Sequence, residues 1–244
     1  MLEQRLHART HYRFSGAFRM HIVCHMMSSI DGRSLTDNWN LDFASPTYED
    51  TAARFEADAW ACGRVTMQEI SHGKDRDYPR GLAKGPIPRT DHFATRDASQ
   101  YAISIDPKGR VAWKRSTALD SHIVEVLAES VEDDYLAYLQ SIGASYVFGG
   151  KDDIELKRVV ETLERELKIR KLIVEGGGHV SGAFVNAQLA DEVSVLLIPL
   201  VDGREAHTSS FEIAMDAWRK PTYLKLDSVE TLDNDVVWLR YTRT

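Results

Sequence analysis

Leu172 to Val185 reads LIVEGGGHVSGAFV. A short apolar run, Lys171 to Val174, has the length of a buried strand. Glu175-Gly176-Gly177-Gly178 is its exit, and Val180, Ala183, Phe184 and Ala187 then recur on one face of a helix. Three consecutive glycines exceed what a strand-to-helix turn needs. Glycine lets a backbone approach a phosphate closely, and a helix N-terminus offers unpaired N–H groups and the positive end of its dipole. The stretch therefore predicts a pyrophosphate cradle. Its spacing is not G-x-G-x-x-G, so it is not the ordinary dinucleotide fingerprint.

Strands and helices alternate outward from this unit. Met20 to Ser28, Ala59 to Cys62, Tyr101 to Ile105, His122 to Leu127, Ser145 to Phe148 and Val193 to Ile198 have strand character. Helices are predicted over Pro46 to Asp58, with Ser45 as N-cap, over Asp133 to Ile142 and over Ile154 to Lys168. The last carries Leu156, Val159, Val160, Leu163 and Leu167 at helical spacing, behind Asp152 and Asp153 as N-terminal acids. Tyr223 to Leu232 and Val236 to Tyr241 are strands of a terminal hairpin, with Leu232-Asp233-Asn234-Asp235 as its turn. The alternation predicts a mainly parallel α/β sheet with helices on both faces and a C-terminal antiparallel hairpin. Residues 1–19 read as an N-terminal arm and 20–244 as one domain. Ser71 to Arg89, rich in Gly, Pro and charge, is the loop candidate.

Composition narrows the function. The 244 residues carry a net charge of −7, which argues against a nucleic-acid surface. The longest apolar stretch, Val193 to Val201, is too short for a membrane span, and the N-terminus lacks an apolar signal core. Cys24 and Cys62 make no disulfide framework, so a reducing cytoplasm is the expected compartment. No metal site is expected: His21 and Cys24 would face opposite sides of a strand, and no cysteine pair completes them.

Chemistry is expected where strands end, because ligands bind at the carboxyl edge of open α/β sheets. Glu175 suits orienting a ligand or capping the next helix, and the residues alone leave both open. Ser29-Ile30-Asp31-Gly32-Arg33 follows the first strand. Asp31 suits a substrate-contacting carboxylate and Arg33 a phosphate contact, though an Asp-Gly turn with a solvated arginine has the same pattern. Gly63-Arg64-Val65-Thr66 opens a helix; Gly63 permits close approach, Arg64 can reach an anion and Thr66 can cap, but a plain capped helix start explains it as well.

These segments, in this order, resemble the reductase domain of the bifunctional riboflavin-synthesis deaminase–reductase, a family related in fold to dihydrofolate reductase. Ser29 to Arg33 matches its Ser-hydrophobic-Asp-Gly-Lys-like motif, with arginine for the usual lysine. Gly63 to Thr66 matches Gly-Arg-x-Thr, and Glu175 to Gly178 matches Glu-Gly-Gly-Gly. Asp191-Glu192, Pro199 and Gly203 match the pattern that follows.

The resemblance implies a dihydrofolate-reductase-like fold and an NADPH-dependent oxidoreductase that reduces the ribose of a ribosylaminopyrimidine 5′-phosphate to a ribityl chain. Gly176, Gly177 and Gly178 would hold the cofactor pyrophosphate, with Gly63 and Thr66 opposite. Arg64 and Ser104 would meet the adenosine 2′-phosphate. Asp31 and Glu175 would orient substrate and nicotinamide, with Ser29 beside Asp31 and Arg33 on the substrate phosphate. A homodimer is also implied. Two alternatives stay open. One is an NADPH reductase of the same fold acting on a pteridine or another carbonyl or imine, with Glu49 or Asp50 as the pterin-bonding acid. The other is a non-catalytic nucleotide-binding protein.

Overall fold

In the computed structural model, residues 19–34, 39, 42–205 and 208–244 are described. Among the described residues, ten strands join one sheet. The strands are β1 His21–Ser29, β2 Ala59–Gly63, β3 Tyr101–Ile105, β4 Thr117–Ala118, β5 Ser121–Ala128, β6 Ser145–Gly150, β7 Lys171–Gly176, β8 Glu192–Ile198, β9 Leu224–Thr231 and β10 Val237–Arg243. The order β5-β3-β2-β7-β1-β8 is parallel throughout, and β6 lies parallel outside β5. The hairpin β9-β10 is antiparallel and docks through β10 on β8. β1 sits between β7 and β8, which explains its nearly continuous apolar sequence: a central parallel strand is buried on both faces.

The helices are α1 Ala44–Ala53, α2 Arg64–Ser71, α3 Asp133–Ser141, α4 Leu156–Leu167 and α5 Gly178–Asn186. Met67 of α2 and Tyr135, Leu136 and Leu139 of α3 pack on one face of the sheet with Trp60, Ala102 and Ile123, and Tyr48 of α1 joins them. Val159, Val160, Leu163 and Leu167 of α4 and Phe184 of α5 cover the other, against Ile22, Ile103 and Val174. The mainly parallel, doubly covered sheet with a terminal hairpin is the dihydrofolate-reductase-like class expected. No helix among the described residues is long and apolar enough to cross a membrane, and no group of His, Cys, Asp or Glu among them could hold a metal ion.

Several boundaries depart from the sequence reading. Phe43, not Ser45, precedes the first residue of α1, and Pro46 falls within its first turn. This helix stops at Ala53 rather than Asp58. The Asp58 carboxylate accepts the N–H groups of Arg170 and Lys171, at 2.7 and 2.9 Å, so residues 55–58 are drawn to the start of β7 and leave the helix through Glu56 at φ 47°. Asp152 and Asp153 lie ahead of α4, whose first turn holds no acid; the chain enters it through Ile154 packed on Gly149. The irregular stretch runs from residue 72 to 100, beyond the expected loop, and β4 is a two-residue strand with no sequence signal. Residues 1–18 of the expected arm lie outside the described residues, as do residues 35–38 and 40 of the Gly/Asn/Asp-containing loop expected from Asp31 to Asn40.

Candidate active site

The neighbouring strands β2 and β7 end side by side, with Cys62 opposite Gly176. That register brings two of the sequence motifs together. A Cβ on Gly176 would lie 3.9 Å from the Thr66 hydroxyl, and one on Gly63 would press on Val180 at 2.9 Å and face the Gly176 carbonyl at 3.9 Å. Gly176 has φ +147°, which L side chains rarely adopt.

The three glycines have different duties. Gly177 precedes α5 and is exposed, and a Cβ there would meet nothing within 4 Å. Gly178 is buried, and a Cβ there would lie far inside 3.0 Å from the Ser209 carbonyl oxygen. Gly182, one turn on, is pressed in the same way by the Glu212 carbonyl. A strap, residues 208–212, thus crosses the start of α5. Its other edge is tied to the β1 exit, where Ser34 N–H donates to the Thr208 carbonyl at 3.1 Å and Ser210 N–H to the Gly32 carbonyl at 3.3 Å. Glu212 N–H donates to the Gly178 carbonyl at 2.9 Å. Nothing in residues 208–212 pointed to this in sequence; the only trace is a second glycine at Gly182, four residues after Gly178.

Two concavities flank this point. A cleft of about 510 Å³ lies on the α1/α2 face and is lined by Tyr48, Glu49, Cys62, Thr66 and Glu175 at its upper end. A groove of about 620 Å³ lies on the other side, between the exit of β3 at Ile105 and Pro107, the start of α4 at Ile154 and Leu156, and α5 at His179, Val180 and Ala183. Cleft and groove are lined from the same exit, by Glu175 on one side and by His179 and Val180 on the other.

Glu175 is half-buried, and its carboxylate accepts no hydrogen bond from a described residue. Burial, and then the charge of Glu49, push its pKa up to about 7. Above it the Tyr48 hydroxyl donates to the His25 carbonyl at 3.0 Å while its ring stacks on His25. Burial also pushes the Cys62 thiol well above its ordinary range, so it is a neutral wall of the cleft. Asp50, the other acid considered on α1, faces away, toward Arg54 and Glu230.

Asp31 is placed differently from Glu175. Its Oδ1 accepts from the Ser29 hydroxyl at 2.7 Å and from Asp202 N–H at 2.9 Å, and its Oδ2 accepts from Gly203 N–H at 2.9 Å. These bonds, Ser29 first, hold its pKa down to about 2. Ser29 also accepts the Arg33 N–H at 2.9 Å, and Arg33 Nε lies 4.0 Å from Asp31 Oδ2. Asp31 therefore fastens the β1 exit to the chain after β8, at the Gly203 that the sequence pattern had picked out.

Two expectations need correction. Thr66 does not cap α2: Gly63 precedes the helix without a side-chain cap, and Thr66 lines the cleft instead. Ser104 is fully buried between Cys62 of β2 and Glu125 of β5, so its hydroxyl is not presented to a ligand phosphate. It belongs to an internal polar cluster in which Trp113 Nε1 donates to the Glu125 carboxylate and Val111 N–H donates to Asp106 at 2.8 Å. Arg64 is half-buried at the start of α2, 3.8 Å from Asp75.

Comparison with known proteins agrees with the architecture. The family model described as the RibD C-terminal domain matches residues 20–238. A pyrimidine reductase-like protein from Corynebacterium diphtheriae is similar at TM-score 0.68 and 13% identity, over 92% of this chain and 92% of that one. RibD of Acinetobacter baumannii is similar at TM-score 0.64 and 18% identity, over 93% of this chain and 59% of its own. The riboflavin biosynthesis reductase of Saccharomyces cerevisiae is similar at TM-score 0.56 and 13% identity, over 95% and 93%. The chain thus spans about three fifths of the bacterial RibD it matches.

Proposed function

The chain belongs to the RibD C-terminal domain family, and from that premise we propose that it is a pyrimidine reductase of the riboflavin type, using NADPH. The observation that carries the reading is that two concavities are lined from one strand exit, the cleft by Glu175 and the groove by His179 and Val180. A dinucleotide in the groove and an acceptor in the cleft would face each other across Glu175 to Gly177. Similar proteins named as pyrimidine and riboflavin-biosynthesis reductases support it.

The residues present fit a dinucleotide. Gly177 opens onto free space, and α5 begins beside it; Val180 and Ser181 N–H donate to the Gly177 carbonyl at 2.9 and 3.1 Å, which leaves the Gly178 and His179 N–H groups for a pyrophosphate. Gly176, Gly177 and Gly63 would bound the pyrophosphate, and Arg64 would carry the preference for a 2′-phosphate. When bound, NADPH supplies a hydride at the nicotinamide ring.

The chain's own contribution is position and a proton. For a ribosylaminopyrimidine, the sugar opens to its C1=N imine. Hydride adds at C1, the π pair moves to nitrogen, and nitrogen takes one proton, leaving the ribitylamine. Glu175 is set to hold that proton near neutral pH, because burial and Glu49 favour its protonated form. Asp31 and Ser29 act one step removed, by fixing the β1 exit. Residues 20–244 acting as one domain, a cytoplasmic location and a homodimer belong to the same proposal. For the dimer, the support is β9, an edge strand exposed along all eight residues.

The test is NADPH oxidation with 5-amino-6-(ribosylamino)uracil, supplied both with and without its 5′-phosphate. Stoichiometric ribityl product from either form is expected. Tight NADPH binding with no turnover of either would overturn the reductase reading in favour of a nucleotide-binding protein.

A further inference from the structure

The strap across the start of α5 brings a carboxylate and an exposed histidine together at the groove. Glu212 is held from three sides. Its N–H donates to the Gly178 carbonyl at 2.9 Å, its own carbonyl lies against Gly182, and its Oε1 accepts the Ser209 N–H at 2.8 Å. The other carboxylate oxygen, Oε2, lies 3.0 Å from His179 Nε2. The His179 side chain is 78% exposed and stands in the first turn of α5, one residue past Gly178. With Nε2 turned to Glu212, Nδ1 is the ring nitrogen left for a ligand.

The ionisable side chains lining the groove are Asp153, His179 and Glu212. Among the described residues there, His179 alone can carry a positive charge. Asp153 lies ahead of α4, and Asp106, beyond the exit of β3, is turned inward onto the Arg110 and Val111 N–H groups. Cα–Cβ bonds on a helix tilt toward its N-terminus. An imidazole in the first turn can therefore reach the space beside Gly177, where a Cβ would meet nothing within 4 Å. A cation at that end opposes the helix dipole, so anions must stabilise it. Glu212 supplies one, and a bound pyrophosphate would supply another.

Building on the reading that the groove takes a dinucleotide, we infer that His179, oriented by Glu212, is a cofactor-binding residue whose imidazolium donates Nδ1–H to the pyrophosphate. Where the free protein holds this ring neutral, binding draws one proton from solvent onto it, and Nε2–H stays directed at Glu212. The complex then holds more protons than the free protein, so affinity falls as pH rises through the neutral range.

The probe is ADP-ribose. It carries the pyrophosphate without the nicotinamide and without a 2′-phosphate, a group that itself titrates near about pH 6. Calorimetric titration at constant ionic strength should show affinity falling about tenfold between about pH 6 and about pH 9, the size of one charged hydrogen bond. Near neutral pH, the heats in two buffers of different ionisation enthalpy should report net proton uptake. His179→Gln should bind more weakly at low pH and lose both the pH dependence and the uptake. It should keep the wild-type Tm, because an exposed ion pair adds little stability. Glu212→Gln retains an acceptor for the Ser209 N–H and should move the fall to lower pH, because the imidazolium loses its counter-charge. Affinity that does not change with pH, or uptake that persists in His179→Gln, overturns the inference. Failure of ADP-ribose to bind at any pH also overturns it, and NADPH titrated alongside separates the two readings. NADPH binding in that case keeps the dinucleotide groove and removes the role of His179 alone; absence of both removes the groove as well.

Discussion

Gly178 lies against the carbonyl oxygen of Ser209 so closely that no side chain can stand between them. The contact fixes the strap, residues 208–212, across the start of α5. It separates a glycine needed for packing from Gly177, which faces open space. Gly178→Ala should therefore destabilise the fold by about 1–3 kcal/mol, as overpacking does, seen as a lower Tm. Gly177→Val should keep the wild-type Tm and lose NADPH binding, because its branched side chain would fill the space proposed for the pyrophosphate. Unchanged NADPH affinity in Gly177→Val would reduce that glycine to a turn residue.

Asp31 is expected to act through the fold. Its carboxylate accepts from Ser29, Asp202 and Gly203, and these bonds depress its pKa to about 2. The sign follows from linkage. A depressed carboxylate adds stability above its unfolded pKa, about 4, and the contribution is lost as pH falls toward about 2. Asp31→Asn should lower Tm at pH 7, and the difference from wild type should fade between about pH 4 and pH 2. A Tm difference that stays constant across that window would show that charge on Asp31 contributes nothing.

Glu175 should dominate the pH profile of turnover. Its raised pKa, about 7, keeps it protonated below neutrality. As a proton source it should support kcat below pH 7 and lose effect above. Glu175→Gln should flatten that limb while lowering kcat by about 10²-fold, the lower end of general-acid contributions. Glu49→Gln should move the limb to lower pH, because the neighbouring charge that helps raise Glu175 is gone. A limb that persists in Glu175→Gln assigns the proton to another group.

The fold was readable in the sequence because its signals are local and repeated. β1 is a nearly continuous apolar run and β7 has an apolar centre from Leu172 to Val174, α4 shows a helical stripe, and the hairpin has an acidic turn. The glycine motif and the Gly63 to Thr66 motif were also readable, and the β2–β7 register explains why they belong together. What stayed hidden is long-range. Asp58 ends α1 early by accepting the Arg170 and Lys171 N–H groups at the start of β7, 112 and 113 residues away, and the 208–212 strap contacts Gly178 through backbone atoms that carry no residue-type signal. Ser104 was misread because a strand-end serine looks alike whether it faces solvent or, as here, Glu125.

Cofactor preference separates Arg64 from Ser104. Arg64 stands at the start of α2, half-exposed and only loosely paired with Asp75 at 3.8 Å, whereas Ser104 is sealed beneath the sheet. A charged hydrogen bond contributes about 1.5–3 kcal/mol, so Arg64→Ala should reduce the preference for NADPH over NADH about tenfold or more. Ser104→Ala should leave that ratio unchanged. Titration of both variants with both cofactors decides it; an unchanged ratio in Arg64→Ala would place the 2′-phosphate elsewhere.

In the proposed reaction, hydride crosses from the groove to the cleft at the exit of β7. A single-turnover reaction with NADPH carrying deuterium at the transferable nicotinamide position tests it most directly. Mass spectrometry of the product should find one deuterium, at C1 of the new ribityl chain, matched to one NADPH oxidised. Oxidation without deuterium in the product, or no oxidation with either the phosphate-free or the 5′-phosphorylated substrate, would contradict the account.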